Sequence, residues 1–209
     1  MKIIGQGRTA DVYALDGTRV LRRYRGGDDA TREAEVMRRL AGHGYPVPAV
    51  LRAEGTDLVM EHLAGPSLLD ALLDGTYEPE PAGELIAELL TRLHALPGTR
   101  LLHLDLHPGN VIVTAARGPV VIDWQTAEEG RPGLDCAMSA LILAEVAVSP
   151  APYAPGARAG LAALLAAVRT PVLPHLPTAR ARRAADPNLT AGEIAALDGA
   201  EALVRALAG

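Results

Sequence analysis

Residues 103–124 constrain this chain more than any other stretch: HLDLHPGNVIV, a short turn, then a run ending in VVIDW. Two short β-type apolar runs, 111–113 and 120–122, carry Asp105, Asn110 and Asp123 at their ends. Runs of this kind are buried, and a carboxylate at the end of a buried run needs a partner or a metal. Two oxygen ligands a hairpin apart suit Mg²⁺, which takes one or two carboxylates and completes its shell with water and phosphate oxygens. The remaining carboxylate can then act as a base toward a hydroxyl.

The flanking sequence has two characters. Residues 1–63 read β-β-β-α-β-β. Three β-type runs come first, at 2–4, 11–15 and 19–24. Gly5-Gln6-Gly7 separates the first two, and Asp16-Gly17 between the second and third is a hairpin signal. A helix is predicted over 28–41, with Val36, Met37 and Leu40 on one face and Gly42 as its stop. YPVPAVLRAEG leads, extended, into a strand, and DLVMEHL is another. From residue 64 the pattern turns helical. Ser67 caps a short helix, and 84–95 is an amphipathic helix with Leu85, Leu89 and Leu93 on one face. The two apolar runs follow, then helices at 135–148, 156–169 and 190–207. Thr190 and Glu193 have capping-box spacing at the start of the last. The Pro-rich pieces 149–155 and 171–177 are connectors. The expectation is an α+β protein in two parts: 1–63, a small antiparallel sheet with one helix, and 64–209, mainly helical.

A net charge of −5 argues against a general nucleic-acid or anionic-membrane binder. Residues 64–209 carry 16 acidic against 10 basic side chains. That balance can attract a cationic substrate, although acidic surfaces more often only aid solubility. Cys136 is the single cysteine, so no internal disulfide forms, in keeping with a reducing compartment. MKIIGQGRT does not read as a signal peptide. The apolar run 136–148 contains Glu145 and is too short to span a bilayer. The protein is therefore expected to be cytoplasmic, without nucleic-acid or membrane partners.

H-x-D-x-x-x-x-N followed by I-D-W resembles the catalytic and metal loops of the aminoglycoside phosphotransferase and choline kinase family, which has the two-lobed protein-kinase-like fold. His107-Pro108-Gly109-Asn110 is similar to the small-molecule branch of that fold, and Asp-Trp stands in place of Asp-Phe-Gly. The resemblance implies Asp105 as catalytic base, Asn110 and Asp123 as Mg²⁺ ligands, and His103 as a brace for the loop backbone. It also implies ATP or GTP as phosphoryl donor and a small-molecule hydroxyl as acceptor, an aminoglycoside-like compound or an amino alcohol among the candidates.

Other segments fit the same template in chain order. Gly5-Gln6-Gly7-Arg8-Thr9-Ala10 resembles a glycine-rich nucleotide loop, with Gly5 and Gly7 at the phosphates and Val12 and Val20 at the adenine. Ala10 stands where a third glycine is usual. Glu33 is on the helix face shared by Met37 and Leu40, as the helix glutamate of a kinase is. LVMEHLAG resembles the hinge: Met60 would be its gatekeeper, with the carbonyl of Glu61 and the amide of Leu63 facing the adenine edge. Asp135 either steadies the catalytic loop or caps a helix. His94 reads as a helix-end packing residue.

One position departs from the pattern. Strand alternation in TRVLRRYR puts Val20 and Arg22 on one face, so Arg22 occupies the place of the usual phosphate-gripping lysine. Three arrangements stay open: Arg22 performs the lysine's role with adjusted geometry, the site binds nucleotide with slow or absent transfer, or a shifted register brings in Arg23 or another residue. Rival readings of the whole chain are a compact atypical protein kinase or ATPase and a nucleotide-binding pseudokinase. Arg180, Arg182 and Arg183 read as a solvated helix face, with an acidic substrate or partner as the alternative.

Overall fold

The computed structural model describes all of residues 1–209. Along the chain run β1 (Lys2–Gln6), β2 (Ala10–Ala14), β3 (Arg19–Tyr24), α1 (Ala30–Gly42), β4 (Val50–Glu54) and β5 (Asp57–Glu61). Then come α2 (Leu68–Leu73), α3 (Pro79–His94), β6 (Leu101–Leu102), β7 (Val111–Thr114), β8 (Gly118–Val121) and β9 (Glu128–Glu129). The chain ends in α4 (Pro132–Ala147), α5 (Ala154–Ala167), α6 (Leu176–Ala184) and α7 (Ala191–Ala208). This is an α+β protein, and none of its helices is long and apolar enough to cross a membrane.

The chain divides into two compact units. The first comprises residues 1–66 together with 111–127, a segment that a cut after residue 63 leaves in the second half. Its sheet is antiparallel throughout, in the order β1-β2-β3-β5-β4. The β2–β3 turn is built by a carboxylate. Asp16 Oδ1 accepts from the amides of Thr18 at 2.8 Å and Arg19 at 2.9 Å, and Gly17 stays outside the left-handed region. Asp29 caps α1 by accepting from Thr31 N–H. The predicted stop at Gly42 shifts: Gly42 is the last helical residue, His43 is the cap, and the chain reverses at Gly44 with φ 73°. The β7–β8 hairpin is tied into this unit by Val121 N–H to Pro46 O at 2.8 Å and Val113 N–H to Pro66 O at 2.9 Å. Trp124 is buried edge-on to Tyr45, ring centroids 5.7 Å apart.

The second unit holds residues 67–110 and 128–209. Ser67 and Asp70 form a capping box at α2, and Thr190 and Glu193 form another at α7. Helix α3 starts five residues before the predicted position because Pro79 occupies its first turn, where proline's missing N–H costs nothing. Pro132 starts α4 in the same way, which puts Asp135 inside the first turn and not at the cap. Gly83 and Gly160 let α3 and α5 approach closely. A Cβ on Gly83 would stand 2.0 Å from Gly160 O. Around this close approach Ile86, Leu89, Leu90 and Leu93 of α3 are all buried, as are Leu161 and Leu164 of α5. The two-residue strands β6 and β9, which pair antiparallel, are too short to show a period in the sequence.

Candidate active site

In the first unit, strand register builds the site. Val12 stands opposite Arg22 across β2–β3, and Val20 opposite Met60 across β3–β5. Directly opposed residues share a sheet face, and so do alternate residues of one strand. Val12, Val20, Arg22, Tyr24 and Met60 therefore lie on one face. Arg23 projects from the other, exposed, and binds Asp57 through two hydrogen bonds of 2.6 Å. Arg22, and not Arg23, is the inward arginine.

Arg22 is 6% exposed. Its Nη2 donates to Asp123 Oδ1 at 2.6 Å, and its Nη1 lies 3.5 Å from Glu33 Oε1. The guanidinium carbon sits 5.2 Å from the centre of the Tyr24 ring, within cation–π range. Nε is buried with no hydrogen-bond partner. Glu33 is equally enclosed: Oε1 accepts from Trp124 N–H at 2.9 Å, and Oε2 accepts from the Tyr24 hydroxyl. Burial raises the pKa of Glu33 against the opposing charge of Arg22. Burial alone would lower that of Arg22, but the Glu33 and Asp123 carboxylates outweigh it and hold the guanidinium above the usual arginine value. Burial and then the charge of Glu33 push the Tyr24 phenol up as well. Asp123 has φ 65°, a left-handed backbone that non-glycine residues seldom adopt.

The glycine-rich turn is held by its carbonyls. Gly7 N–H closes the turn on Ala10 O at 2.9 Å, while Gly5 lies within β1 at a register shift. Arg25 Nη2 donates to the carbonyls of Gly7 at 2.5 Å and Arg8 at 2.7 Å, and Arg25 N–H donates to Thr9 O. Thr9 Oγ1 also donates to Gln125 Oε1 at 2.8 Å. At the end of β5, the Glu61 side chain accepts from Arg117 Nη1 at 2.6 Å and Ala49 N–H at 3.1 Å. Leu63 follows, half-buried.

In the second unit the loop 103–110 is organised around Asp135. This carboxylate is fully buried. It accepts from Leu104 N–H at 2.7 Å and His103 N–H at 3.0 Å, and lies 2.9 Å from His94 Nε2. His94 is thus a partner of Asp135, a correction to its reading as a packing residue, and Asp135 is no helix cap. Leu104 has φ 65°, so the braced amides hold a second left-handed residue, immediately before Asp105. His103 is fully buried, and its Nδ1 accepts from Asp105 N–H at 3.2 Å. Asn110 Nδ2 donates to Asp105 O at 2.9 Å and Asp105 Oδ2 at 3.2 Å. His107 Nδ1 accepts from Gly109 N–H at 3.0 Å, and its Nε2 lies 3.8 Å from Asp105 Oδ2.

Of the α6 arginines, Arg182 is exposed and Arg180 partly so, as a solvated face requires, but Arg183 turns inward. Arg183 forms two 2.8 Å hydrogen bonds with Glu145, and this pair is largely buried. Arg182 bonds Glu128 at 2.5 Å, and Arg180 pairs with Asp198 and Glu201. Sequence reasoning also passed over Tyr24, whose signal was present: it continues the Val20–Arg22 alternation. Arg25 and the Arg22–Asp123 pair gave no local signal. No group of three or more His, Cys, Asp or Glu side chains is arranged to hold a metal, so the metal expectation rests on Asn110 and Asp123.

A family model described as the phosphotransferase enzyme family matches residues 1–101 and 98–171. The chain is 30% identical over 96 residues to the serine/threonine-protein kinase PEPKR2 of Arabidopsis thaliana, covering 44% of the chain and 20% of that kinase. It is 30% identical over 95 residues to CDPK-related kinase 3 of Arabidopsis thaliana, covering 43% of the chain and 16% of the kinase. It is also 31% identical over 81 residues to the EKC/KEOPS complex subunit BUD32 of Encephalitozoon cuniculi (strain GB-M1), covering 39% of each. The matched segments thus span well under half of each relative's own length.

Proposed function

The chain belongs to the phosphotransferase enzyme family, and from that premise we propose that it is a small-molecule kinase, moving the γ-phosphoryl of ATP or GTP to a hydroxyl. The arrangement proposed is the two-lobed kinase-like one. In it, 1–63 binds nucleotide through the turn at Gly5 and Gly7, through Val12, Val20, Met60 and the backbone of Glu61 and Leu63, and 64–209 supplies the base and the acceptor pocket. The observation that carries the reading is the loop 103–110. A buried carboxylate, Asp135, fixes the strained backbone before Asp105, and Asn110 holds one oxygen of Asp105.

Mg²⁺ is the metal proposed, on the chemistry of each donor taken by itself. Asp123 offers a carboxylate that is about one-third exposed, and Asn110 directs its Nδ2 to Asp105, which leaves its amide oxygen as the coordinating atom. Asn110 and Asp123 would hold the ion, which when bound neutralises charge on the nucleotide phosphates. The rest falls to the chain. Asp105 accepts the proton of the acceptor hydroxyl as the new O–P bond forms, and the bond from the γ-phosphorus to the bridging oxygen breaks, releasing the nucleoside diphosphate. Arg22, set by Glu33, presents fixed positive charge to the phosphates. The acidic balance of residues 64–209 favours a cationic acceptor, such as an amino alcohol or an aminoglycoside-like compound.

The test is incubation with ATP or GTP, Mg²⁺ and a panel of hydroxyl compounds, followed by ³¹P NMR. A phosphomonoester formed on one acceptor class supports the proposal. Nucleotide hydrolysis with no acceptor product argues against it. A second reading, a protein kinase, draws on the similarity to PEPKR2 and to CDPK-related kinase 3. Label from γ-³²P-ATP on the chain itself or on a protein substrate, with none on small molecules, would favour that reading.

A further inference from the structure

His107 lies within the loop of Asp105, and two features fix its ring. Its Nδ1 accepts from Gly109 N–H at 3.0 Å, so Nδ1 carries the lone pair and the ring hydrogen of the neutral imidazole is on Nε2. Gly109 also leaves room for the ring, since a Cβ at residue 109 would stand 2.8 Å from Cε1 and 3.1 Å from Nδ1 of His107. The Nε2–H end faces Asp105 Oδ2 at 3.8 Å, an electrostatic contact longer than a hydrogen bond. Asn110 Nδ2 donates to that same oxygen at 3.2 Å. Both contacts therefore fall on Oδ2. A carboxylate with one oxygen faced by two N–H dipoles keeps its other oxygen for a third partner.

We propose that His107 is a positioning residue for Asp105: Gly109 locks its ring as the Nε2–H tautomer, and that hydrogen, with Asn110, anchors Oδ2 so that Oδ1 takes the acceptor's proton. This rests on the phosphotransferase reading above. The proposal separates two roles that one histidine can play. Bracing the loop needs only an acceptor for Gly109 N–H. Orienting Asp105 needs a donor at the Nε2 position. Asparagine supplies the first, because its Oδ1 sits where Nδ1 does, and it reaches no further. Glutamine supplies the second, because its amide NH₂ extends to the Nε2 position.

The experiment compares His107→Gln and His107→Asn with the wild type in phosphoryl transfer to the acceptor identified above, alongside thermal melts. His107→Gln is expected to keep kcat within about threefold. His107→Asn is expected to lose roughly fivefold in kcat, the upper scale of a charge contact at 3.8 Å between partly exposed groups, with little change in KM for nucleotide. Gly109→Ala, which displaces the ring without touching Asp105, should resemble His107→Asn. The reverse order, with His107→Asn active and His107→Gln impaired, would assign a bracing role only and overturn the proposal. A second readout needs no turnover: ¹⁵N NMR of the labelled full chain should show His107 as the Nε2–H tautomer, and an Nδ1–H tautomer also overturns it. Absence of transfer by the wild type to any acceptor sinks the phosphotransferase reading and this proposal with it. Transfer at equal rates by both variants sinks the proposal alone.

Discussion

Arg22 joins residues that lie far apart in the chain. Glu33 and Asp123 are both within reach of one guanidinium, whose carbon sits over the Tyr24 ring. Removing the cation leaves the almost fully buried Glu33 carboxylate without its counter-charge, beside the partly exposed Asp123. Arg22→Met should therefore destabilise the protein by about 3 kcal/mol, as the loss of one partner from a buried ion pair does. Urea unfolding measures it, and a change below about 1 kcal/mol would mean that solvent replaces the guanidinium. Arg22→Lys keeps the charge but not the fork, so it should fall between wild type and Arg22→Met. Asp135 predicts a different phenotype. Asp135→Asn retains the shape but can present an N–H to the amides of His103 or Leu104, so it should slow transfer through a loosened loop while melting only a few degrees lower. Wild-type turnover in Asp135→Asn would detach the brace from the chemistry. These residues differ in how readable they were. Alternation along β3 identified Arg22 as the inward arginine, because a strand's period is local. The Arg22–Asp123 and His94–Asp135 contacts join residues 101 and 41 positions apart, and no local period encodes such a pairing.

At the level of elements, two features can be perturbed cleanly. The α3–α5 seam rests on backbone approach at Gly83 and Gly160, so Gly83→Ala forces the helices apart. An overpacking cost of about 1–3 kcal/mol is expected, visible as a lowered melting temperature. Gly42→Ala is the contrast: Gly42 sits in the last turn of α1, and a Cβ added there would meet nothing within 4 Å, so helix propensity alone should leave stability unchanged or slightly raised. If both substitutions behave alike, close approach is not what glycine provides at residue 83. The second feature is the Arg23–Asp57 rung between β3 and β5. Hydrogen bonds from Arg23 lower the pKa of Asp57 from 3.8. A carboxylate with a depressed folded-state pKa adds stability above its unfolded value and loses it as pH falls through the folded one. Asp57→Asn should thus cost about 0.5 kcal/mol at neutral pH, the scale of a screened surface pair, and nothing once the pH has fallen below the lowered folded-state pKa. A difference that persists in strong acid would point to packing in place of charge. Strand and helix identities were legible from period and capping residues. Helix starts at Pro79 and Pro132 were not, because the apolar pattern begins only after the proline-led first turn.

For the whole molecule, the family model matches residues 1–101 and 98–171, a span that contains every kinase-like motif read from the sequence. What the sequence could not supply was the grouping of 111–127 with 1–66, since chain order does not reveal which hairpin returns to which sheet. That grouping brings Asp123 to Arg22. The central claim, that this chain uses Asp105 to move a phosphoryl group to a hydroxyl, is tested most directly by single-turnover transfer in wild type and Asp105→Asn at saturating nucleotide and acceptor. The account predicts transfer by the wild type and a fall of roughly a hundredfold or more in the chemical step for the variant, with nucleotide binding retained. Transfer by Asp105→Asn at the wild-type rate would contradict it.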